Sequence, residues 1–182
     1  DALLVHISTD YVFDGTGHLP YTEDMPAHPV NAYGRTKLAG EEAVVESGCR
    51  YMIFRTSWLY SPFGGNFVQT IYDKSAAQPS IKVVSDQVGS PTFAQDLADT
   101  IASIIDGGSL EKTGIYHYAN EGVCSWYVLA KEICDMTGSL CHVIPCRTAD
   151  YPSKVIRPHY SVLDKTRVKK DFAIEIPHWS ES

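Results

Sequence analysis

Short apolar runs typical of β-strands alternate with helix-length amphipathic segments, and this alternation constrains the fold of the chain more than any other feature. Gly and Pro residues separate the segments, and an Asn or a Ser stands where several of the helical ones begin. Strands are predicted over 3–8, 50–56, 81–84, 114–118 and 142–145, and helices over 32–47, 66–77, 93–105 and 126–136, with a last helix from about 164. Because strand–helix alternation is typical of parallel sheets covered by helices, we expect an α/β fold.

The longest stretch without a regular pattern is 14–29, which contains two glycines and three prolines. This composition predicts a surface loop rather than a helix or a strand. The shorter stretches 85–92 and 151–160 are also predicted to be irregular. Loops as long as the first one are often functional when they occur in a compact domain.

The composition excludes several classes of protein. There are 22 acidic residues against 15 Lys and Arg, which gives a formal net charge of -7 and disfavours binding to a nucleic-acid backbone. No apolar run approaches the ~20 residues of a membrane-spanning helix. The five cysteines form no C-x-x-C pair, so neither a metal site nor a disulfide framework is predicted, and we expect a reducing cytoplasm as the location.

The most informative pair of residues is Tyr33 and Lys37, within the sequence NAYGRTK at 31–37. Residues four apart on a helix lie one turn above each other on the same face. An ammonium group beside a phenol favours the ionised phenolate, which makes a tyrosine usable as a general acid or base. Such a pair also occurs by chance on amphipathic helices. Here the predicted strand before it ends in Ser8 and Thr9, at the strand end where ligands bind in open α/β sheets.

Several motifs in order along the chain resemble those of extended short-chain dehydrogenase/reductases, and within that group those of the dTDP-4-dehydrorhamnose reductase family. The resemblance covers nearly the whole chain. The motifs are STDYVFDG at 8–15, YGRTK at 33–37, RTSW at 55–58, DQVGSPT at 86–92, and Arg157-Pro158 ahead of Ser161 and Leu163.

The resemblance implies a catalytic set of Thr9, Tyr33 and Lys37. Tyr33 would donate a proton to a sugar ketone, and Lys37 would assist it and hydrogen-bond the nicotinamide ribose. Thr9 would hold the substrate oxygen. The implied reaction is hydride transfer from NADPH or NADH to the C4 ketone of a nucleotide-linked 6-deoxyhexose, which converts dTDP-4-dehydrorhamnose to dTDP-rhamnose without a metal.

The resemblance also implies binding roles for five further positions. Asp10 and Trp58 match positions that contact the sugar nucleotide, although Trp58 fits a core aromatic equally well. Ile7, Arg55 and Ser57 match positions near the nicotinamide end of the cofactor.

One expected feature of the family is not found in the sequence, namely the glycine-rich strand–turn–helix that holds the cofactor pyrophosphate. The nearest string, at 15–20, ends in a proline and precedes no predicted helix, so we interpret it as a turn. The chain therefore resembles the later part of the family: the carboxyl half of a Rossmann-like sheet followed by a small α+β substrate-binding region, mainly 59–80 and 114–182. We expect it to be a fragment of a longer protein, with an unpaired edge on its first strand and no reductase activity in isolation.

Two other functions stay open at this point. One is a non-catalytic regulatory or binding subunit of the same fold. The other is a sugar-nucleotide epimerase or dehydratase, because Asp10 places an acid directly beside Thr9. The expected ligand is a small nucleotide sugar in each enzymatic case, and the sequence leaves a homodimer open.

Overall fold

The computed structural model describes residues 2–151, 153 and 155–182. The strands are β1 (Leu3–Thr9), β2 (Arg50–Thr56), β3 (Leu59–Tyr60), β4 (Ser80–Val84), β5 (Val88–Gly89), β6 (Thr92–Phe93), β7 (Gly114–His117), β8 (Cys124–Ser125) and β9 (His142–Cys146). The α-helices are α1 (Ala32–Glu46), α2 (Phe67–Ala77), α3 (Ala94–Asp106), α4 (Trp126–Thr137) and α5 (Thr166–Phe172). Short 3-10 turns cover Asp10–Val12 and Thr148–Asp150.

The main sheet has three parallel strands in the order β1-β2-β7. Leu3 pairs with Arg50 at the start of the β1–β2 ladder, and Thr9 pairs with Thr56 at its end. The parallel register confirms the predicted α/β class. It also gathers the carboxyl ends of the strands at one edge of the sheet, which is where ligands bind in such folds.

One face of the main sheet is covered by α3 and α5. Met52, Phe54 and Tyr116 project from β2 and β7 into this core, where they meet Leu97 of α3 and Val168 of α5. All five side chains are buried. Burial of an apolar side chain of this size stabilises the folded state by about 1.5–3 kcal/mol, so this contact fixes both helices on the sheet.

β1 lies at the edge of the main sheet and pairs with β2 alone among the described strands, which confirms the expected unpaired edge. Leu4 is 43% exposed and Ile7 is 36% exposed, so β1 is less buried than its sequence suggests. These two residues lie on opposite faces of β1, because side chains alternate along a strand. Leu3 and Val5 are partly buried where they pack against the core that the sheet shares with α3 and α5.

A second region is formed by the parallel pair β4–β9 with α2 and α4 packed on it. Its core is apolar and includes Ile71 of α2, Ile81 and Val83 of β4, and Leu129 and Ile133 of α4. Its helices and β9 lie within the predicted substrate-binding part of the chain, whereas β4 extends beyond it to Val84. The division into two parts stays a prediction.

The other differences from the predicted elements are small. The last helix begins at Thr166 rather than near Asp164. The predicted loop 85–92 contains β5 and the first residue of β6, because two-residue strands are too short to show a period of two. Within the described part of the chain, no helix has both the length and the apolar character needed to cross a bilayer.

Candidate active site

The side chain of Asn31 starts the helix that carries Tyr33 and Lys37. Its Oδ1 atom accepts a hydrogen bond from the backbone N–H of Gly34 at 2.8 Å, which satisfies one of the free donors of the first turn. Asn31 directly precedes the predicted helix 32–47, and this contact shows that it caps the observed helix. The first turn of α1 then packs against the 3-10 turn Asp10–Val12 that follows β1.

Gly34 allows this close approach. A Cβ atom at this position would lie 2.1 Å from the carbonyl oxygen of Tyr11, so any larger residue would push α1 away from the turn. As a result the rings of Tyr11 and Tyr33 meet edge to face, with 5.7 Å between their centroids. The Tyr33 side chain stays 54% exposed and is therefore available to a ligand.

Lys37 lies one helical turn after Tyr33 and reaches the main sheet. Its Nζ atom donates to the carbonyl oxygen of Ile7 at 2.5 Å, near the carboxyl end of β1. An ammonium group carries three donors, and this bond uses one of them. The contact places the charge of Lys37 beside the strand that also delivers Thr9.

Thr9 and Asp10 form a buried polar pair after β1. The Thr9 hydroxyl accepts from the backbone N–H of Tyr11 at 3.2 Å and donates to Oδ1 of Asp10 at 3.0 Å. Burial raises the pKa of Asp10 to about 7, against the opposing effect of hydrogen bonds from Ser161 and Thr9. Asp10 is therefore poised between its neutral and ionised forms near neutral pH.

Arg55 lies in the interior rather than at a cleft. Its Nε donates to Oε1 of Glu41 at 3.0 Å and its Nη2 donates to Oε2 at 2.6 Å, and both side chains are buried. The Ser8 hydroxyl donates to the same carboxylate. Glu41 belongs to α1, so these bonds join the helix that carries Tyr33 and Lys37 to β1 and β2. The predicted contact of Arg55 with a cofactor stays a prediction.

Ser57 and Trp58 also make contacts within the protein. The Ser57 hydroxyl donates to the carbonyl oxygen of Ser90 at 2.7 Å. Trp58 has a left-handed backbone with φ of 47° and stacks on Trp126 at 3.5 Å between ring centroids. A Cβ atom on Gly89 would lie 2.6 Å from the Trp58 ring, so this glycine makes room for the stack. A contact of Ser57 with the cofactor stays a prediction, and so does a contact of Trp58 with the substrate.

A cleft of about 690 Å³ runs from Tyr33 along α2 and β4. The other residues that line this cleft were not predicted as a site from the sequence. Only weak sequence signals pointed to them. Trp126 directly follows Ser125, the cap of α4, and Arg157 belongs to the Arg157-Pro158 motif. The aromatic and cationic side chains of the lining are Tyr11, Tyr33, Phe67, Trp126, Tyr151, Lys74, Lys82 and Arg157.

The predicted residues thus fall into two groups. Ile7, Thr9, Asp10, Tyr33 and Lys37 lie together where β1 ends and α1 packs on it. The remaining three, Arg55, Ser57 and Trp58, are held by other parts of the protein. The first group combines a phenol, an ammonium and a hydroxyl near the end of β1, and the phenol of Tyr33 lines the cleft. These are residue types that can transfer a proton to a carbonyl oxygen.

The RmlD substrate binding domain family matches residues 1–182. The chain belongs to this family. A curated relative, the spore coat polysaccharide biosynthesis protein SpsK of Bacillus subtilis, is 41% identical over 181 residues, covering 100% of this chain and 62% of that protein. The dTDP-4-dehydrorhamnose reductase of Burkholderia thailandensis is 38% identical over 191 residues, covering 97% of this chain and 64% of that protein.

The fold of this RmlD-family chain also matches a solved structure. The dTDP-4-dehydrorhamnose reductase of Bacillus anthracis in complex with NADP superposes with a TM-score of 0.94 at 39% identity, over 99% of this chain and 63% of that one. This likeness confirms the predicted Rossmann-like class. The chain spans less than two thirds of the length of each of these relatives.

Proposed function

We propose that the full-length protein reduces the C4 ketone of dTDP-4-dehydrorhamnose with NADPH or NADH. The observation that carries the proposal is the arrangement of Tyr33 and Lys37 on adjacent turns of α1, with the ammonium held on the Ile7 carbonyl at 2.5 Å and Thr9 two residues further on. The names of the relatives support the same reaction.

The residues at the end of β1 fit the nicotinamide end of such a cofactor. Lys37 keeps two donors beyond its bond to Ile7, and Tyr33 is half-exposed beside it. These groups would hold a ribose and the edge of a nicotinamide ring. When bound, the reduced cofactor supplies the hydride. Gly15 and Gly17, by contrast, pack against Pro158 and Tyr21 in a loop, which agrees with the interpretation of this string as a turn and not as a phosphate-binding site.

Tyr33 supplies the proton in the proposed reaction. Its phenol O–H donates to the ketone oxygen of the sugar as negative charge develops there. Lys37, one turn away on the same face, stabilises the phenolate that remains after the transfer. General acid catalysis of this kind contributes about 10²–10⁴-fold to a rate.

Thr9 holds the same oxygen through its hydroxyl. Without substrate, this hydroxyl donates to Asp10, so it must turn to serve a ligand. A neutral Asp10 carboxyl can donate to the Thr9 oxygen instead, and the pKa of about 7 makes the neutral form accessible. The Thr9 proton is then free for the substrate oxygen, where a preorganised donor is most effective.

The cleft fits the nucleotide part of the substrate. Trp126 and Phe67, whose rings pack against each other with 4.5 Å between their centroids, add an aromatic wall to the cleft against which a base can pack. Lys74, Lys82 and Arg157 supply positive charge for a diphosphate, and arginine matches phosphate geometry with two parallel donors. A nucleoside diphosphate sugar has both of these parts. A cytoplasmic location and a homodimer stay predictions.

The proposal is tested with the full-length protein, dTDP-4-dehydrorhamnose and either NADPH or NADH. We expect nicotinamide oxidation and a reduced sugar in equal amounts, followed by absorbance and by NMR. An epimerase or a dehydratase would change the sugar without net oxidation of the cofactor. A regulatory subunit would bind ligands without turnover. Either of these outcomes would contradict the proposal.

A further inference from the structure

Both the oxygen and the nitrogen of the Asn31 side-chain amide form hydrogen bonds, and only the bond of the oxygen caps α1. Oδ1 accepts from the N–H of Gly34 at 2.8 Å, as a cap requires. Nδ2 donates to the carbonyl oxygen of Ile156 at 3.0 Å, 125 residues further along the chain. Asn31 is 8% exposed, so the bond to Gly34 is buried, whereas the bond to Ile156 is partly buried because Ile156 lies at the surface. The second bond joins the start of the catalytic helix to a distant segment.

That segment, residues 155–158, is named the cleft strap here. Val155 and Arg157 on either side of Ile156 line the cleft. Pro158 packs onto Gly15, where φ is +77° and a Cβ atom would lie 2.3 Å from the Pro158 Cβ. The cleft strap is therefore fastened at two points, by apolar contact at Pro158 and by the Asn31 amide at Ile156.

The cleft strap is also connected to Tyr33 through Tyr11. Burial and the Asp10 charge raise the pKa of Tyr11 to about 12, and the positive charge of Arg157 opposes this rise. Tyr11 in turn contacts Tyr33 edge to face. The wall of the cleft and the proton donor are thus linked both through Asn31 and through Tyr11.

We propose that Asn31 is a positioning residue, which fixes the cleft strap on the start of α1 so that Val155 and Arg157 face a ligand held at Tyr33. The two hydrogen bonds of Asn31 hold the cleft strap on α1 whatever the reaction of the protein is. The claim about substrate affinity rests on the proposed function.

Two substitutions separate this role from simple capping. In Asn31→Asp the carboxylate still accepts from Gly34, since Asp and Asn are equally good N-caps, but it has no donor for the Ile156 carbonyl. Asn31→Ser also caps a helix, and its side chain is too short to span the distance to Ile156. Both variants should keep the thermal stability of α1 and release the cleft strap.

Hydrogen exchange on the unliganded full-length protein measures this directly. Loss of one hydrogen bond should raise exchange in the peptide that contains the cleft strap by about threefold to tenfold in both variants, with exchange in α1 unchanged. The matched control is Asn66→Asp. Asn66 also caps a helix through Oδ1, but its Nδ2 donates to Ser61 and Gly64 within its own loop. This control should leave exchange in the cleft strap as in the wild type.

Steady-state kinetics supply the second readout. We expect the KM for dTDP-4-dehydrorhamnose to rise by about threefold to tenfold in both Asn31 variants, with little change in kcat. If Asn31 were only a cap, both variants would show wild-type exchange in the cleft strap and a wild-type KM, and the inference would be overturned. A wild-type protein without turnover would instead overturn the proposed function, while the exchange comparison would still decide the role of Asn31.

Discussion

The α1 region, formed by α1, β1 and β2, and the α2–α4 region, formed by α2, α4 and β4, are held together by different forces. In the α1 region, the Arg55 guanidinium and the Ser8 hydroxyl converge on the buried carboxylate of Glu41. In the α2–α4 region, apolar side chains such as Ile71 and Ile133 pack without charged partners in the core cluster. The first carries the proposed proton donor, and the second forms the wall of the cleft.

This difference matches what each region has to do. Hydrogen bonds and ion pairs are directional, so they fix the rotation and register of α1 and with it the positions of Tyr33 and Lys37. Apolar packing is not directional and tolerates changes that keep volume. Proton transfer needs groups within hydrogen-bond distance of each other, whereas a cleft wall needs shape. We therefore expect the two regions to respond differently to conservative substitutions.

The largest expected difference is between two half-exposed tyrosines, Tyr33 on α1 and Tyr72 on α2, which are 54% and 52% exposed. Tyr33→Phe in the full-length protein should lower kcat by about 10²–10⁴-fold, because the proton donor is lost while the ring remains. Tyr72→Phe removes the same hydroxyl outside the cleft and should leave kcat unchanged. Equal rates for the two variants would remove Tyr33 from the mechanism.

Breaking the buried ion pair should have the next largest effect. Glu41→Ala leaves the Arg55 charge buried without its partner and should lower the free energy of unfolding by about 3–5 kcal/mol. Glu42, the next residue on the same helix, is exposed, so Glu42→Ala is the matched control and should change stability little. Urea unfolding measures both. A similar small change in the two variants would contradict the view that the ion pair holds α1 in place.

Asp10 and His117, both buried, should change the free energy of unfolding with pH in opposite directions. Burial raises the pKa of Asp10 from 3.8 to about 7, so the folded state holds a proton that the unfolded state releases, and this group makes the protein less stable as pH rises between these values. Burial, with the Arg55 charge, lowers the pKa of His117 from 6.5 to about 3, so this group makes the protein more stable as pH rises between these values.

The contributions of Asp10 and His117 oppose each other in the wild-type protein. Asp10→Asn removes the contribution of Asp10. Between acid and neutral pH, the free energy of unfolding of this variant should therefore rise by about 4 kcal/mol more than that of the wild type. Urea titrations at a series of pH values test this expectation. Parallel profiles for wild type and variant would show that Asp10 has no shifted pKa.

The smallest effect is expected in the α2–α4 region. Ile133→Val deletes one buried methylene group and should cost about 0.5–1.5 kcal/mol of unfolding free energy. The KM and kcat should stay near their wild-type values, because the neighbouring side chains can close around the change. A loss as large as that of Glu41→Ala would mean that the two regions do not differ in tolerance.

The sequence was most informative where the structure depends on local spacing. The pair Tyr33 and Lys37 and the cap Asn31 could be predicted because helix periodicity and capping act within a few residues. The partner of Arg55 could not be predicted, since pairing of a strand residue with Glu41 depends on how α1 lies across the sheet. The stack of Trp58 on Trp126 joins two segments far apart in sequence, and no local pattern indicates it.

Transfer of a labelled hydride tests the central claim most directly. The full-length protein would be given dTDP-4-dehydrorhamnose and a reduced nicotinamide cofactor that carries deuterium at the transferable position, and the sugar would be examined by NMR. We expect deuterium at C4 of the product with wild-type protein, and almost no product with Tyr33→Phe. A sugar product without deuterium at C4, or undiminished labelling with Tyr33→Phe, would contradict the account.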